Sequence, residues 1–193
     1  MAALPTIKYA LENGAYSIVL ISHRGNPEGK YVSEHSLKFV SQELERQLGR
    51  PVDFLRSCCG DIIEKMVDFA PRGTVILLEN LRFFCEEEGF RRDKDGKKIR
   101  AHRAEVGEFC ESLMKLGHVY VNDAFGTTHL AHASMVGVKL PQRAAGLLMK
   151  KELETFAKVL ENPDRPFLAV LGGKILSDKI QLFDNMLDKV SSE

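Results

Sequence analysis

Short apolar runs that alternate with helix-like stretches constrain the fold of this chain most strongly. "SIVLIS" at 17–22 and "TVILL" at 74–78 are mostly apolar and β-branched, and "HVYVN" at 118–122 and "PFLAVLGG" at 166–173 follow the same pattern. Runs of this kind predict strands that are buried on both faces. Because helix-like stretches separate them, the sequence predicts an α/β fold with a parallel sheet and helices on both faces.

The stretches between these runs have the apolar spacing of amphipathic helices. A further short strand, "VDFL", is predicted at 52–55. Helices are predicted over Pro5–Asn13, Ser36–Leu48, Asp61–Phe69, Ala104–Leu116, Leu148–Leu160 and Ser177–Val190.

The charge balance excludes several classes of protein. The chain has 193 residues with 27 basic and 27 acidic side chains, so we expect no nucleic-acid partner and no membrane partner. The apolar runs are far shorter than the roughly 20 residues that cross a bilayer, and the N-terminus lacks the pattern of a signal peptide. The four cysteines form no C-x-x-C pair, which favours reduced thiols in a cytoplasmic protein and no metal site.

Loops that follow the strands carry the candidate functional groups, because parallel sheets bind ligands at the carboxyl ends of their strands. His23 follows the first strand in "SHRGNPEG", and simple packing at a strand end explains it equally well. Arg82 follows the strand at 74–78, where its planar guanidinium group could bind a phosphate or a carboxylate. The alternative is that Arg82 pairs with Glu79 or with one of the glutamates at 86–88.

Two further segments give weaker signals. The charged run "RRDKDGKKIRAHR" at 91–103 contains no aromatic residue, so we expect a solvated surface loop there. "LGGKILSDK" at 171–179 is glycine-rich between a predicted strand and a predicted helix, where backbone N–H groups attract phosphate. It lacks the spacing of a Walker A loop and of a G-x-G-x-x-G motif.

Taken together, four segments resemble phosphoglycerate kinase. They are "LLENLRF", "VYVNDAFGTTHLAHASMVG", "LMKKELETFAKVLENPDRPFLAVLGG" and "DKIQLFDNMLDKV", and the resemblance runs from Ala2 to Val190. It implies a cytoplasmic, monomeric enzyme with two Rossmann-like domains joined by a long helix. That enzyme transfers a phosphoryl group reversibly between 1,3-bisphosphoglycerate and ADP, giving 3-phosphoglycerate and ATP.

The resemblance also implies a division of this chain into three parts. Residues 1–146 would form the phosphoglycerate-binding domain without the first strand of the family. Residues 147–164 would form the interdomain helix, and residues 165–193 would begin the nucleotide-binding domain. The fold would therefore be a Rossmann-like sheet that is incomplete at both ends relative to the family.

Site residues follow from the resemblance as well. Magnesium–ATP or ADP would face the glycine turn and the lysines beyond it, and Lys174 is one residue away from the family position. The 3-phosphoglycerate positions are His23, Gly25, Asn26, Arg82, His129 and Leu130, and the nucleotide positions are Gly172, Gly173, Lys174 and Lys179.

Two of these positions depart from the family in a way that bears on activity. The family has arginine where this chain has Asn26 and Leu130, so two contacts to an anionic substrate are replaced. This favours an alternative, a truncated and catalytically inactive relative. A third class, a metal protein that uses Asp123, His129 and His132, has only a common His-x-x-His spacing behind it.

Overall fold

The computed structural model describes residues 2–161, so the strand and helix predicted beyond Arg165 lie outside the described residues. Short 3₁₀ turns occur at Ser33–His35, Leu81–Phe83 and Phe125–Thr127. The helices are α1 (Leu4–Glu12), α2 (Lys38–Leu48), α3 (Asp61–Asp68), α4 (Cys85–Glu88), α5 (Arg103–Lys115) and α6 (Leu147–Glu161). The strands are β1 (Ser17–Leu20), β2 (Val52–Leu55), β3 (Thr74–Leu78), β4 (Phe90–Arg92), β5 (Lys98–Arg100), β6 (Val119–Asn122) and β7 (Gln142–Ala145).

The parallel pairing predicted from the sequence is confirmed. β3 is the central strand of a sheet with the order β1-β3-β2, and both neighbours run parallel to it. β6 and β7 form a second parallel pair, with Val119 opposite Gln142. The α/β class is therefore confirmed, with the sheet present in two parts within the described residues.

Strand β3 shows why the four positions that follow Thr74 are all apolar. Val75 and Leu77 point to one face and join a core cluster with residues of α1 and α2. Ile76 and Leu78 point to the other face and join a cluster with residues of α3 and α5. Successive side chains of a strand alternate between faces, so a strand covered by helices on both sides has no polar position.

Strand β6 differs from that prediction. Val119 is 52% exposed and Val121 is 44% exposed, while Tyr120 packs against the core. Its outer face is thus not covered by the described part of the chain. β1 is also shorter than predicted, ends at Leu20 and is half-buried rather than fully buried.

The charged run at 91–103 is exposed, as expected, but it is not an irregular loop. β4 and β5 pair in an antiparallel hairpin with Phe90 opposite Arg100. Asp93 closes the turn, because its carboxylate accepts the backbone N–H groups of Asp95 and Lys97 at 2.9 and 2.8 Å. The polar composition of this segment therefore predicted its exposure correctly and its secondary structure wrongly.

The chain divides into two compact units, residues 1–149 and residues 150–193. In the first unit, the start of α6 is fixed by Thr6 and Asp123. The Thr6 hydroxyl accepts the N–H of Leu147 at 2.9 Å, and the Asp123 carboxylate accepts the N–H of Met149 at 3.0 Å. Among residues 2–161, no helix is long and apolar enough to cross a membrane.

Candidate functional site

The site begins with Asn80, two residues beyond the end of β3, whose side chain is fully buried. Its amide nitrogen donates to the carbonyls of Arg24 and His35 at 2.7 and 3.0 Å. Its amide oxygen accepts the backbone N–H groups of Arg24 and Arg82 at 3.3 and 3.1 Å. Asn80 therefore fixes the loop after β1 beside the loop after β3.

Glu79, which directly follows β3, ties the end of this strand to the segment before α2. It is 3% exposed, and its carboxylate accepts hydrogen bonds from the Ser36 hydroxyl at 2.7 Å and the Leu37 N–H at 2.8 Å. Because Glu79 is used in this way, it does not pair with Arg82. The interpretation of Arg82 as a partner of Glu79 is therefore wrong.

The loop after β1 turns at Gly25, which has φ +60°. A Cβ atom there would overlap the ring of His35, so the turn requires glycine both for its backbone angle and for its space. Arg24, which precedes it, directs its guanidinium group to the carbonyl of Ser36 at 3.0 Å. The guanidinium group of Arg24 therefore serves to bind the segment before α2.

Arg82 lies across this turn and is largely covered. Its Nη1 donates to the Gly25 carbonyl and to the Asn26 side-chain oxygen, both at 2.8 Å. Its Nε lies 3.3 Å from a carboxylate oxygen of Glu88, an ion pair whose geometry does not make a hydrogen bond. The alternative interpretation, that Arg82 pairs with one of the glutamates at 86–88, is thus confirmed for Glu88.

The imidazole of His23 contacts the carboxylate of Glu87 on helix α4. His23 Nε2 and Glu87 Oε1 are 2.6 Å apart, and Glu87 is 1% exposed. Ser134 donates to the same carboxylate through its N–H at 2.9 Å and its hydroxyl at 2.5 Å. Burial alone would raise the pKa of Glu87, but the hydrogen bonds from His23 and Ser134 outweigh it and lower the pKa.

His132 completes the group from the loop after β6. Its ring is 5.0 Å from that of His23 at 78°, and its Nδ1 lies 3.6 Å from Glu87 Oε1. Its Nε2 lies 3.7 Å from Glu88. Burial lowers the pKa of His132 and outweighs the opposing effect of Glu87.

The structure thus brings together side chains from three loops, and these only partly match the residues predicted to bind substrate. His23, Gly25, Asn26 and Arg82 form one side. His129 is exposed and Leu130 is half-buried in the loop after β6. The predicted nucleotide positions Gly172, Gly173, Lys174 and Lys179 lie outside the described residues.

Sequence reasoning missed three residues that hold this group together, namely Asn80, Glu87 and Ser134. Asn80 follows closely on a buried strand, and Glu87 stands in "ENLRFFCEEEG", where three consecutive glutamates point in different directions on a helical turn. That pattern is a usable signal for a buried carboxylate, although it does not say which glutamate. Ser134 carries no signal of its own.

The proposed metal set of Asp123, His129 and His132 is not brought together. Asp123 instead accepts hydrogen bonds from the Thr6 hydroxyl at 2.7 Å and from the start of α6. Among residues 2–161, a group of three potential ligand side chains is formed by His23, Glu87 and His132.

Comparison with known proteins identifies relatives of the chain. The family model described as phosphoglycerate kinase matches residues 1–192. A phosphoglycerate kinase of Agaricus bisporus is 63% identical over 190 residues, and one of Hypocrea jecorina is 60% identical over 192 residues. These alignments cover 98% and 100% of this chain and 46% of each relative, so the chain spans about half the length of the curated relatives it matches.

Solved structures give the same result. The phosphoglycerate kinase of Coxiella burnetii superposes with a TM-score of 0.73 at 34% identity, over 97% of this chain and 43% of that one. The enzyme of Pyrococcus horikoshii superposes with a TM-score of 0.77 at 30% identity, over 97% of this chain and 44% of that one. Sequence motifs, sheet topology and both kinds of relative agree, and the chain belongs to the phosphoglycerate kinase family.

Proposed function

We propose that residues 2–161 contain the 3-phosphoglycerate-binding site of a phosphoglycerate kinase. The reaction would be the reversible transfer of a phosphoryl group between 1,3-bisphosphoglycerate and ADP, giving 3-phosphoglycerate and ATP. One observation carries this proposal. His23, Arg82 and His132 come from the loops after β1, β3 and β6, and they converge at the carboxyl ends of the strands, where such sheets bind ligands.

The three groups suit a small ligand that carries a carboxylate and a phosphate. Arginine offers a planar fork that matches both groups, and imidazole N–H groups add single hydrogen bonds. Glu87 holds the His23 imidazole by a hydrogen bond, and Glu88 pairs with the Arg82 guanidinium, before any ligand arrives. Phosphoryl transfer depends mostly on positioning and on charge stabilisation, so a preorganised set of donors is the contribution expected from this half of the enzyme.

The nucleotide would be magnesium–ATP or ADP, bound by a separate part of the protein. Gly172, Gly173, Lys174 and Lys179 are the positions proposed to face it, by family resemblance. These four residues lie outside the described part of the chain.

A second candidate is a protein that binds the substrate without transferring a phosphoryl group. Asn26 and Leu130 favour it. Asn26 offers an amide that already accepts a hydrogen bond from Arg82, and Leu130 offers no charge at all, so both positions lack a cation for an anionic ligand.

We also propose a cytoplasmic location for the protein. All four cysteines are free thiols, as expected in a reducing compartment. Cys58 is fully buried and donates its S–H to the Glu79 carbonyl at 2.7 Å, and burial raises its pKa well above the ordinary value.

Two measurements on the purified chain separate these proposals. Titration calorimetry with 3-phosphoglycerate tests binding, and we expect Arg82→Ala to weaken it about 10- to 100-fold, since a hydrogen bond to a charged group contributes about 1.5–3 kcal/mol. Arg46→Ala, at an exposed arginine of α2, is the control and should leave the affinity unchanged. A coupled assay for ATP formation then tests transfer.

Binding with ATP formation supports the kinase, and binding without it supports the second candidate. Absence of binding in the folded parent chain contradicts both. Equal effects of the Arg82 and Arg46 variants would place the ligand elsewhere.

A further inference from the structure

We propose that His23, Glu87 and His132 form a binding site for a divalent transition-metal ion, with zinc as the preferred ion. This goes beyond the proposed kinase function, in which the two histidines bind an organic anion. One nitrogen or oxygen atom from each of the three residues lies within 4.8 Å of the others. Two imidazoles and one carboxylate are a ligand set that zinc uses in proteins, with a fourth position open to water or a small ligand.

The distances between the three ligand atoms are close to those of a tetrahedral site. Zinc bonds to nitrogen and oxygen of about 2.0–2.1 Å place neighbouring ligand atoms roughly 3.3 Å apart. Here Glu87 Oε1 lies 2.6 Å from His23 Nε2 and 3.6 Å from His132 Nδ1. Each of these two distances differs from the tetrahedral value by less than about 1 Å, so small shifts of the side chains would bring these atoms to the spacing of a zinc site.

A second, independent observation points to a missing ligand at the same place. His132 is 7% exposed, and its Nδ1 is buried without a hydrogen-bond partner. A buried polar atom without a partner is costly and uncommon in folded proteins. This nitrogen faces the Glu87 carboxylate at a distance too long for a hydrogen bond, and a metal ion bound between them would satisfy both.

A neighbouring residue that is not itself a ligand holds the Glu87 carboxylate in place by hydrogen bonds. Ser134 donates two hydrogen bonds to the Glu87 carboxylate, at 2.9 and 2.5 Å, and so fixes its orientation. Outer hydrogen bonds of this kind orient metal ligands and strengthen binding. The three ligands come from the loop after β1, from helix α4 and from the loop after β6, and Asn80 holds the first of these through the Arg24 carbonyl.

The donor atoms decide which ion fits. Magnesium prefers six oxygen ligands in octahedral geometry and keeps several waters. Two imidazole nitrogens with one carboxylate suit zinc. The same ligands suit cobalt(II), which can replace zinc and can be detected by its visible absorption. We therefore infer that zinc and 3-phosphoglycerate compete for His23 and His132.

The test uses the full chain in phosphate-free buffer without 3-phosphoglycerate, so its outcome does not depend on the proposed kinase function. Cobalt(II) is added to the parent chain, and we expect the intense visible absorption of a tetrahedral ion at one equivalent. Zinc should then displace it stoichiometrically. His23→Gln and His132→Gln should each raise the dissociation constant for zinc at least about tenfold, since even outer-group changes reach that size.

His118→Gln, at an exposed histidine outside the group, is the matched control and should bind zinc as the parent does. Nitrogen-15 spectra of histidine-labelled parent chain give a readout that needs no variant. Zinc should shift two of the six imidazole rings, and magnesium at the same concentration should shift none. Weak octahedral absorption, fewer than two shifted rings, or equal zinc affinity in all three variants would overturn the proposal.

Discussion

The imidazole of His23 lies 2.6 Å from the carboxylate of Glu87, although 64 positions separate the two residues in the chain. This contact joins the loop after β1 to helix α4, and Ser134 joins the loop after β6 to the same carboxylate. Three segments that carry the candidate ligand groups are therefore held by one buried side chain.

Replacing that carboxylate should destabilise the fold strongly. In Glu87→Ala, the Ser134 N–H and the His23 ring lose their buried partner, and we expect the free energy of unfolding to fall by about 3 kcal/mol or more. Urea unfolding followed by circular dichroism measures this. Glu108→Ala, at an exposed glutamate of α5, should change the value by less than about 0.5 kcal/mol, and a similar loss in both variants would contradict the role given to Glu87.

Asn80 should matter for a different reason. In Asn80→Ala, two carbonyls and two N–H groups around the fully buried side chain lose their partner, so we expect a loss of about 3 kcal/mol or more. Asn80→Asp keeps the size and the acceptor oxygen but loses the donors to Arg24 and His35. Chemical unfolding of both variants should show substantial destabilisation, and a fully stable Asn80→Asp would show that the two donated bonds contribute little.

Restoring a cation in the loop after β6 should strengthen binding if the site takes 3-phosphoglycerate. Leu130→Arg adds a charged donor beside His129 and His132, and we expect the affinity for 3-phosphoglycerate to rise about 10- to 100-fold. Leu130→Gln, which adds a polar side chain without charge, is the control. Calorimetry that shows no difference between the two variants would mean that Leu130 does not face the ligand.

Part of the free energy of unfolding should depend on pH through the carboxylate of Glu64, which joins α3 to α5. Hydrogen bonds from Ser112 at 2.8 Å and then from Lys115 lower its pKa below the ordinary value of 4.5. A lowered carboxyl pKa stabilises the folded chain above pH 4.5, and this contribution is lost as the pH falls through the lowered pKa. Ser112→Ala should therefore be most destabilising near neutral pH, and its deficit should shrink in acid.

The control for that experiment is the same substitution in a Glu64→Gln background. Ser112 also accepts the N–H of Gly60 at 3.0 Å, and the loss of this bond does not depend on the pH. We expect the double variant to keep a constant deficit across the titration. A deficit that still shrinks in acid without Glu64 would assign the effect to another carboxylate.

The sequence by itself determined the class of fold and the family. The alternation of Val75, Ile76, Leu77 and Leu78 between two faces follows from strand geometry alone, and it is visible in four consecutive letters. The loops after the strands were likewise identifiable, because strand ends define where a parallel sheet binds ligands. Local periodicity encodes these features, so no long-range contact is needed to predict them.

Only the tertiary structure decided which side chains meet. Three consecutive glutamates at 86–88 look alike in the sequence, yet Glu87 is the one that is buried against His23 and Ser134. Asp123 looked like a ligand and instead holds the start of α6. Contacts of this kind depend on how segments dozens of residues apart pack together, and this packing is set by the whole core rather than by any local pattern of residues.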